Sequence, residues 1–344
     1  MQELLINLAI ILAKITAALV FTIALMVPAM VYIERRLVAF FQQRLGPNRV
    51  GPFGILQPIA DALKLILKED ITPKGVDKIL YFLAPAIALF CACMNVAVIP
   101  FGPDLQIMGR TIPLSVANLN VGILYMLAIS SLSVYGIVLA GWSSNSKFSF
   151  LGGLRSTSQM ISYELAMGMS LIGLIMLSQS LNLSDVVNAQ SKWPFIIPQF
   201  IGFIIFFICM VAETNRAPFD LPEAETELVG GFHTEYSSMK FAIFFMSEYA
   251  NMVIMSCLIS TLFLGGWRWP IADPVALFGP YIGVLVGMGQ FVAKIFAFLF
   301  IYIWLRSTFP RFRYDQLMKF GWLVLLPLGI LNVVVTGIVL TWFR

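Results

Sequence analysis

Histidine and cysteine are scarce in this sequence, which has one histidine, His233, and four cysteines in 344 residues. The cysteines all lie inside apolar runs without a histidine nearby; they are Cys91, Cys93, Cys209 and Cys257. Zinc and iron–sulfur sites need several such ligands at set spacings. We therefore predict that the chain itself holds no redox metal, and we interpret the cysteines as small packing residues.

Motifs for nucleotide or peptide chemistry are missing as well. No glycine-rich phosphate loop follows a strand pattern, and neither HExxH nor CxxC occurs. Charged residues make up only 12% of the chain, and the basic ones are dispersed, which argues against a nucleic-acid partner. The sequence thus contains no complete active site in this chain alone.

Apolar residues are abundant: 59% of the sequence is hydrophobic, 29 residues are phenylalanine, and the mean hydropathy is +0.88. The first long apolar run has neither a basic start nor a small-residue cleavage site, so we expect it to be a retained helix and not a signal peptide. We predict an all-α polytopic membrane protein of about eight transmembrane helices, in which residues 1–344 form a single transmembrane domain. Apolar windows of about 20 residues, long enough to cross a bilayer, lie at 4–33, 80–101, 121–142, 160–177, 195–212, 241–264, 281–305 and 322–342.

Lysine and arginine are distributed unevenly between the predicted loops. The loops after odd-numbered helices contain sixteen of them, whereas the even-numbered loops and the C-terminal end contain four. Basic residues favour the cytoplasmic or matrix side of a membrane. We therefore predict that the odd-numbered loops face that side and that both termini face outward.

The most acidic stretch, 213–227, contains five carboxylates between two apolar runs. Glu213 directly follows the first run, and another acid, Glu248, lies inside the second. Ionisable groups at membrane depth cost about 2.5–3.5 kcal/mol near a helix centre and usually have a function. The predicted cytoplasmic or matrix loop at about 213–236 is either a plain solvated loop or a set of carboxylates that retain protons because like charges repel. The positions of Glu213 and Glu248 favour the second interpretation.

An amphipathic helix is predicted at about 55–69. Its polar residues recur at helical spacing and face away from an apolar side; they are Gln57, Asp61, Lys64 and Lys68. The helix is too short and too polar to span a bilayer, so we expect it to lie in the interface. It follows a glycine- and proline-rich loop at 42–54 and is either a surface anchor or one side of a slot through which a lipid-soluble ligand leaves the bilayer.

Several polar residues lie in or beside apolar runs. Glu164 has either a structural role, in which it hydrogen-bonds to Ser or Tyr on a neighbouring helix, or a functional role. Lys294 is too deep to reach the surface easily, so we expect it to face a carboxylate or a hydrated cavity, whereas Lys14 should snorkel outward. The stretch 143–155 is predicted to be a polar loop, and the arginine- and aromatic-rich loop 306–315 suits lipid headgroups or an acidic partner subunit.

Two motifs carry a family resemblance. Residues 51–69 (GPFGILQPIADALKLILKE) and 218–231 (PFDLPEAETELVGG) resemble the signatures of the quinone-site membrane subunit of respiratory complex I, called subunit 1 in mitochondria and the H subunit in bacteria. The similarity in length and layout extends over essentially the whole chain. It implies that the chain is a subunit of the proton-translocating NADH:quinone oxidoreductase.

The resemblance also implies roles for individual residues. The tunnel side of a ubiquinone chamber would contain Arg35, Arg44, Asp61 and Lys64. Coupling of quinone reduction to proton pumping would involve Glu34, Tyr163, Glu164, Glu213, Arg216, Asp220, Glu223, Glu225, Glu227 and Glu248. No residue of this chain is assigned a catalytic or metal-binding role.

The same resemblance implies cofactors, partners and location. Ubiquinone is the expected substrate, no cofactor is expected to be bound covalently, and FMN and iron–sulfur clusters are expected in partner subunits. The expected partners are the soluble quinone-module subunits, neighbouring membrane-arm subunits and membrane lipids. The expected location is the bacterial cytoplasmic (inner) membrane or the mitochondrial inner membrane, with multiple passes.

Three other functions remain open from the residues. The equivalent subunit of a membrane-bound hydrogenase or ferredoxin-linked complex would share the fold and the acids but use no quinone. A secondary cation transporter would normally contain an internal repeat of broken helices, which we do not find. A passive anchor would not need acids at membrane depth.

Overall fold

The computed structural model describes residues 2–107, 110–221, 228–270 and 273–342, and its architecture is almost wholly helical. A short antiparallel pair, β1 (Leu105–Ile107) and β2 (Arg110–Ile112), was not predicted, because three-residue strands give no periodic signal. The helices are α1 (Gln2–Leu19), α2 (Val27–Phe41), α3 (Gln57–Leu67), α4 (Lys78–Val96), α5 (Gly122–Ser143), α6 (Lys147–Ser178), α7 (Leu183–Ala189), α8 (Phe200–Glu213), α9 (Ser238–Phe263), α10 (Pro274–Phe278), α11 (Ile282–Thr308), α12 (Tyr314–Phe320) and α13 (Leu326–Trp342).

Within these described ranges, seven helical spans are long and apolar enough to cross a membrane. They are Leu5–Phe41, Lys78–Val96, Gly122–Ser143, Lys147–Ser178, Ser238–Phe263, Ile282–Thr308 and Tyr314–Trp342. The eighth apolar segment is α8, which has only 14 residues. The prediction of an all-α polytopic membrane protein is confirmed, and each of the eight predicted windows overlaps one of these helices.

Helix α9 is the central element of the bundle. It is apolar on all sides and buried along most of its length, as expected for a helix surrounded by other helices. It packs against α2, α3, α4, α8 and α11. Side chains from several parts of the chain therefore meet around its first half.

The first membrane helix is longer than predicted. The charged triplet 34–36 was expected to end it, but α1 continues through a π-helical segment, Val20–Met26, and α2 to Phe41. The charges are tolerated inside the helix because they have partners: Arg35 pairs with Asp61. Glu34 consequently lies inside a helix and is buried.

The polar stretch 143–155 is helical and not a loop, because α6 begins at Lys147. Its glycines permit close packing that a side chain would prevent. A Cβ atom on Gly152 would lie 2.8 Å from the backbone nitrogen of Phe232. This is the reason that the stretch can be rich in glycine and still be helical, and it places Glu164 in the middle of a 32-residue helix.

Lys294 has backbone partners, so the expectation that it faces a carboxylate is wrong for the described part of the chain. Its Nζ donates to the carbonyl oxygens of Leu264 at 2.7 Å and Gly266 at 2.5 Å, just beyond the end of α9. Carbonyl groups at a helix C-terminus are unpaired and carry partial negative charge. An ammonium group is therefore a suitable cap for α9.

The predicted orientation can be tested by cysteine labelling. Asn48 and Ser191 are exposed and lie in loops predicted to face opposite sides of the membrane. With one added cysteine, we expect a membrane-impermeant maleimide to label position 48 only from the cytoplasmic or matrix side and position 191 only from outside. The unmodified chain, whose cysteines are buried or partly buried, gives the background. Labelling of both positions from one side would overturn the predicted topology.

Candidate functional site

The acidic stretch begins with a buried turn. Glu213, Thr214, Asn215 and Arg216 are 6%, 3%, 7% and 7% exposed. Gln159 of α6 holds this turn, because its Nε2 donates to three acceptors: Ala212 O at 2.9 Å, Phe219 O at 2.8 Å and Asn215 Oδ1 at 3.3 Å. Non-helical backbone at membrane depth is tolerated when protein groups surround it. The interpretation as a plain solvated loop is wrong for this part of the segment.

A cluster of opposite charges lies next to this turn. Glu34 accepts hydrogen bonds from Arg306 and from the hydroxyl group of Tyr249, the latter at 2.5 Å. Arg216 lies 3.7 Å from Glu34 and 3.8 Å from Glu248, measured between guanidinium nitrogen and carboxylate oxygen. These five residues are called the Arg216 cluster below. It contains two carboxylates and two guanidinium groups, and such pairing is what makes buried charge tolerable.

The aromatic ring of Tyr249 supports the cluster from one side. The Arg216 guanidinium lies 4.3 Å from the centre of this ring, within the range of a cation–π interaction. The members come from α2, the turn after α8, α9 and α11, so the cluster exists only in the assembled bundle.

A small cavity lies beside Glu213 and Glu248. Both residues line it, and its volume is about 30 Å³, which is enough for one water molecule. Both carboxyl oxygens of Glu213 are buried and have no hydrogen-bond partner within the described part of the chain. The two acids therefore share the walls of one cavity.

Tyr163 and Glu164 are adjacent in α6 but contact different elements. Glu164 accepts a hydrogen bond from Ser131 of α5, which is the structural role considered for it from the sequence. It is also close enough to Glu213 to interact with it electrostatically. The buried hydroxyl group of Tyr163 donates to Leu317 O in α12 at 3.0 Å. Glu164 thus belongs near the Glu213 side, whereas Tyr163 connects α6 to α12.

The arginines of the stretch 306–315 contact acids of this chain. Arg306 belongs to α11 and binds Glu34, and Arg311 lies 3.0 Å from Asp220. The backbone nitrogen of Phe312 also donates to Pro218 O at 3.2 Å. We expected this stretch to bind lipid headgroups or an acidic partner subunit. For Arg306 and Arg311 this is corrected, because both bind acids of this chain.

The predicted proton-coupling residues are accordingly distributed over several contacts. Three are members of the Arg216 cluster: Glu34, Arg216 and Glu248. Two more, Glu213 and Glu164, lie beside it. Asp220 pairs with Arg311, and Tyr163 donates to Leu317 O. The remaining residues, Glu223, Glu225 and Glu227, lie outside the described residues.

A larger cavity of about 410 Å³ lies between α2, α3 and the start of α9. Three of its lining residues were predicted as tunnel residues, Arg35, Asp61 and Lys64, and the first two form an ion pair. Arg44 is exposed, lies outside this lining and donates to Gln42 at 2.8 Å. The rest of the lining is apolar: Ile23, Val27, Pro28, Val31, Pro58, Ala62, Leu65, Ile66, Met239, Phe241, Ala242, Phe245 and Met246.

Phe245 connects the larger cavity to the charge cluster. Its ring lines the cavity, and the Arg216 guanidinium lies 6.0 Å from its centre. The Phe245 and Tyr249 ring centres are 5.1 Å apart. A molecule in the cavity would therefore be separated from Arg216 by one aromatic side chain.

Three members of this site were not predicted from the sequence: Arg306, Tyr249 and Phe245. Arg306 was assigned to a loop because its helix was predicted to end one residue earlier. The signal for the other two was available, since Phe245 and Tyr249 are four residues apart and therefore share a helix face, next to the singled-out acid Glu248.

Known proteins are similar to this chain over nearly its whole length. A family model described as NADH dehydrogenase matches residues 13–337. The NADH-quinone oxidoreductase H subunit numbered 1 of Geobacter metallireducens is 52% identical over 341 residues, which is 99% of each chain. The H subunit numbered 2 of Geobacter sulfurreducens is 53% identical over 94% of each chain, and the H subunit of Thermomicrobium roseum is 50% identical over 91% of each. The resemblance found in the two motifs is thus confirmed, and the chain belongs to the NADH dehydrogenase family, among chains named as the H subunit of NADH-quinone oxidoreductase.

Proposed function

We propose that this chain, as a membrane subunit of NADH:quinone oxidoreductase, admits ubiquinone between α3 and α9 and couples quinone reduction to proton movement through buried carboxylates. One observation carries this proposal: a cavity with an apolar lining and three polar residues adjoins a cluster of buried charges through Phe245. The names of the relatives support the enzyme assignment over a hydrogenase or a cation transporter.

The cavity has the composition that a quinone requires. Ligand sites are mostly apolar, with a few polar groups that fix orientation. Here the apolar lining suits an isoprenoid tail, and Lys64 and the Arg35–Asp61 pair offer charged groups to a passing carbonyl oxygen. Because α3 borders the cavity and is amphipathic, a molecule dissolved in the bilayer can enter along its apolar side.

The carboxylates have the arrangement that proton coupling requires. Glu213 is buried without an ion pair in the described ranges, and an ionised carboxylate without a partner is costly in such a place. Reduction of quinone to quinol consumes protons, which changes the charge near Arg216. A change at Arg216 acts on Glu34 and Glu248, and through the small cavity it reaches Glu213.

The partners, cofactors and location are part of the same proposal. Electrons would come from partner subunits that contain FMN and iron–sulfur clusters, and the neighbours would include soluble quinone-module subunits and other membrane-arm subunits. The membrane would be the bacterial cytoplasmic membrane or the mitochondrial inner membrane. Glu223, Glu225 and Glu227 are proposed to extend the coupling set, and Arg44 to contribute to the tunnel outside the cavity.

Substitutions on α3 test the quinone path. Asp61→Leu or Lys64→Leu removes a polar group from the cavity while leaving a helix-forming residue. We expect the complex to assemble and the KM for decylubiquinone to rise by roughly 10-fold, equivalent to the loss of about 1.4 kcal/mol of binding. The measurement is NADH-driven quinone reduction in purified complex, with Lys74→Leu, an exposed lysine after α3, as the matched control.

Arg44→Ala shows whether the path extends beyond the cavity. A raised KM would place Arg44 on the route, and an unchanged KM would confine the route to the cavity. If Asp61→Leu and Lys64→Leu both leave the KM at the control value in normally assembled complex, the cavity is not the quinone path.

A further inference from the structure

Helix α3 packs against α2 and α9 but is only partly buried. None of its residues is buried, and the apolar side chains of Ile59, Leu63 and Ile66 are 57%, 54% and 58% exposed. Helices in proteins are normally fixed by packing of an apolar face. The position of α3 relative to the bundle therefore depends on polar contacts as well as on its packing against α2 and α9.

The N-terminal half of α3 and the loop before it are connected to α2. Arg35 pairs with Asp61, and the Tyr32 hydroxyl group donates to Phe53 O, just before α3, at 2.8 Å. These contacts hold the N-terminal half of a helix that is about 16 Å long. The other end needs contacts of its own to define the width of the cavity.

The C-terminal end of α3 is connected to the first turn of α9. The Ser238 hydroxyl group donates to Leu65 O at 2.8 Å and Lys68 O at 3.0 Å, which are carbonyl groups that a helix end leaves unpaired. Ile71 donates its backbone N–H to Ser237 Oγ at 3.1 Å. Ser238 itself has φ of +53°, a conformation that is uncommon for residues other than glycine.

Lys240, a buried residue, adds an ion pair with the half-exposed Asp70 to this connection. The lysine is 5% exposed, and its Nζ lies 3.1 Å from Asp70 Oδ1 and 3.1 Å from Thr72 Oγ1, both just beyond α3. The ammonium group also lies 4.7 Å from the Tyr81 ring centre and 4.4 Å from that of Phe82. Carboxylate, hydroxyl and aromatic rings together compensate for the desolvation of the charge.

The residues around Lys240 in α9 form the opposite wall of the cavity. Met239, Phe241 and Ala242 line it, whereas Lys240 does not. The lysine therefore connects the segment after α3 to α9 from outside the cavity.

We propose that Lys240 is a positioning residue that sets the separation of α3 from α9, and thereby the affinity for quinone. The inference rests on the proposed function, because it takes the cavity as the quinone path. Without the ion pair, α3 occupies a range of positions, and only a fraction of them has the bound geometry. Apparent affinity falls in proportion to that fraction.

The test compares Lys240→Met, which keeps the stem and removes the charge, with Lys74→Met, an exposed lysine in the same segment. Spin labels on Leu67 and Ile79, which are 84% and 79% exposed and outside the cavity lining, report the position of α3 relative to α4. We expect a broader distance distribution in Lys240→Met and a KM for decylubiquinone raised by roughly three- to tenfold, with kcat nearly unchanged. Lys240→Arg, which keeps the charge and the ring contact, should restore both values.

The outcomes separate this inference from the proposed function. A distance distribution in Lys240→Met that equals the control overturns the positioning role. A broader distribution with an unchanged KM also overturns it, and the proposed quinone path then stands or falls with Asp61→Leu and Lys64→Leu. A broader distribution together with a raised KM that Lys240→Arg reverses supports both.

Discussion

Glu213→Gln should lower the rate of quinone-linked turnover and the rate of proton translocation together, each by at least about tenfold. Complete loss of an acid–base group in catalysis usually lowers a rate by more than this. The substitution keeps the shape of the side chain and removes the exchangeable carboxyl proton. Electron transfer from NADH to ferricyanide, which bypasses quinone, should stay intact. The reason is the position of Glu213 at the end of α8, buried and on a common cavity with Glu248.

Two control variants show whether an effect of Glu213→Gln comes from loss of the carboxyl proton or from a change in structure. Glu69→Gln, an exposed acid beyond α3, should leave all three activities unchanged. Glu213→Asp keeps a carboxyl group and should recover part of the turnover. The measurements are quinone reduction and proton uptake in proteoliposomes. If Glu213→Gln assembles, pumps and turns over like the native complex, the carboxyl group is dispensable and the coupling role of this acid is wrong.

Arg216→Met is expected to have the largest effect on assembly. It leaves Glu34 and Glu248 without a shared cation inside the bundle, and loss of one partner of a buried ion pair costs about 3–5 kcal/mol. Glu34 would retain Arg306, whereas Glu248 would lose the guanidinium group 3.8 Å away. We expect a large decrease in assembled complex on native gels and a lower Tm.

A second substitution shows whether charge is the cause. Arg216→Met combined with Glu248→Gln removes one charge of each sign, so assembly should recover while quinone-linked turnover stays low. Arg110→Met provides the matched control, because Arg110 pairs with Glu3 at an exposed site, where an ion pair contributes no more than about 1 kcal/mol. Full assembly of Arg216→Met would mean that the cluster does not hold the bundle together.

The membrane helices could be predicted because each has an apolar run of nearly the required length. Their ends could not, since they depend on partners elsewhere in the chain. Arg35 was taken as a helix end because the ion pair with Asp61 was not visible, and Gly152 as a loop residue because its packing against Phe232 was not visible. Lys294 was expected to need a carboxylate because the sequence does not show which helix end lies beside it.

The acids of the candidate site could be singled out one by one, but not as a group. Glu34 and its partner Tyr249 are 215 positions apart, and no periodicity connects residues at such a distance. Arg216, Glu34 and Glu248 were placed in one functional set by resemblance to a family. Their contacts required the packing of α2, α9 and α11 around the turn after α8.

The length of α8 has a consequence for how membrane thickness acts on the protein. At 14 residues it is about 21 Å long, clearly less than the roughly 30 Å hydrocarbon core of a bilayer. Its exposed side chains, Phe200, Ile201 and Ile204, are in the first turns, whereas Cys209 through Glu213 are covered by other helices. Lipid therefore reaches mainly the end of α8 that is remote from Glu213. A thicker or thinner bilayer would be accommodated at that end, so the depth of the carboxyl group is set by protein packing and stays constant between membranes of different composition.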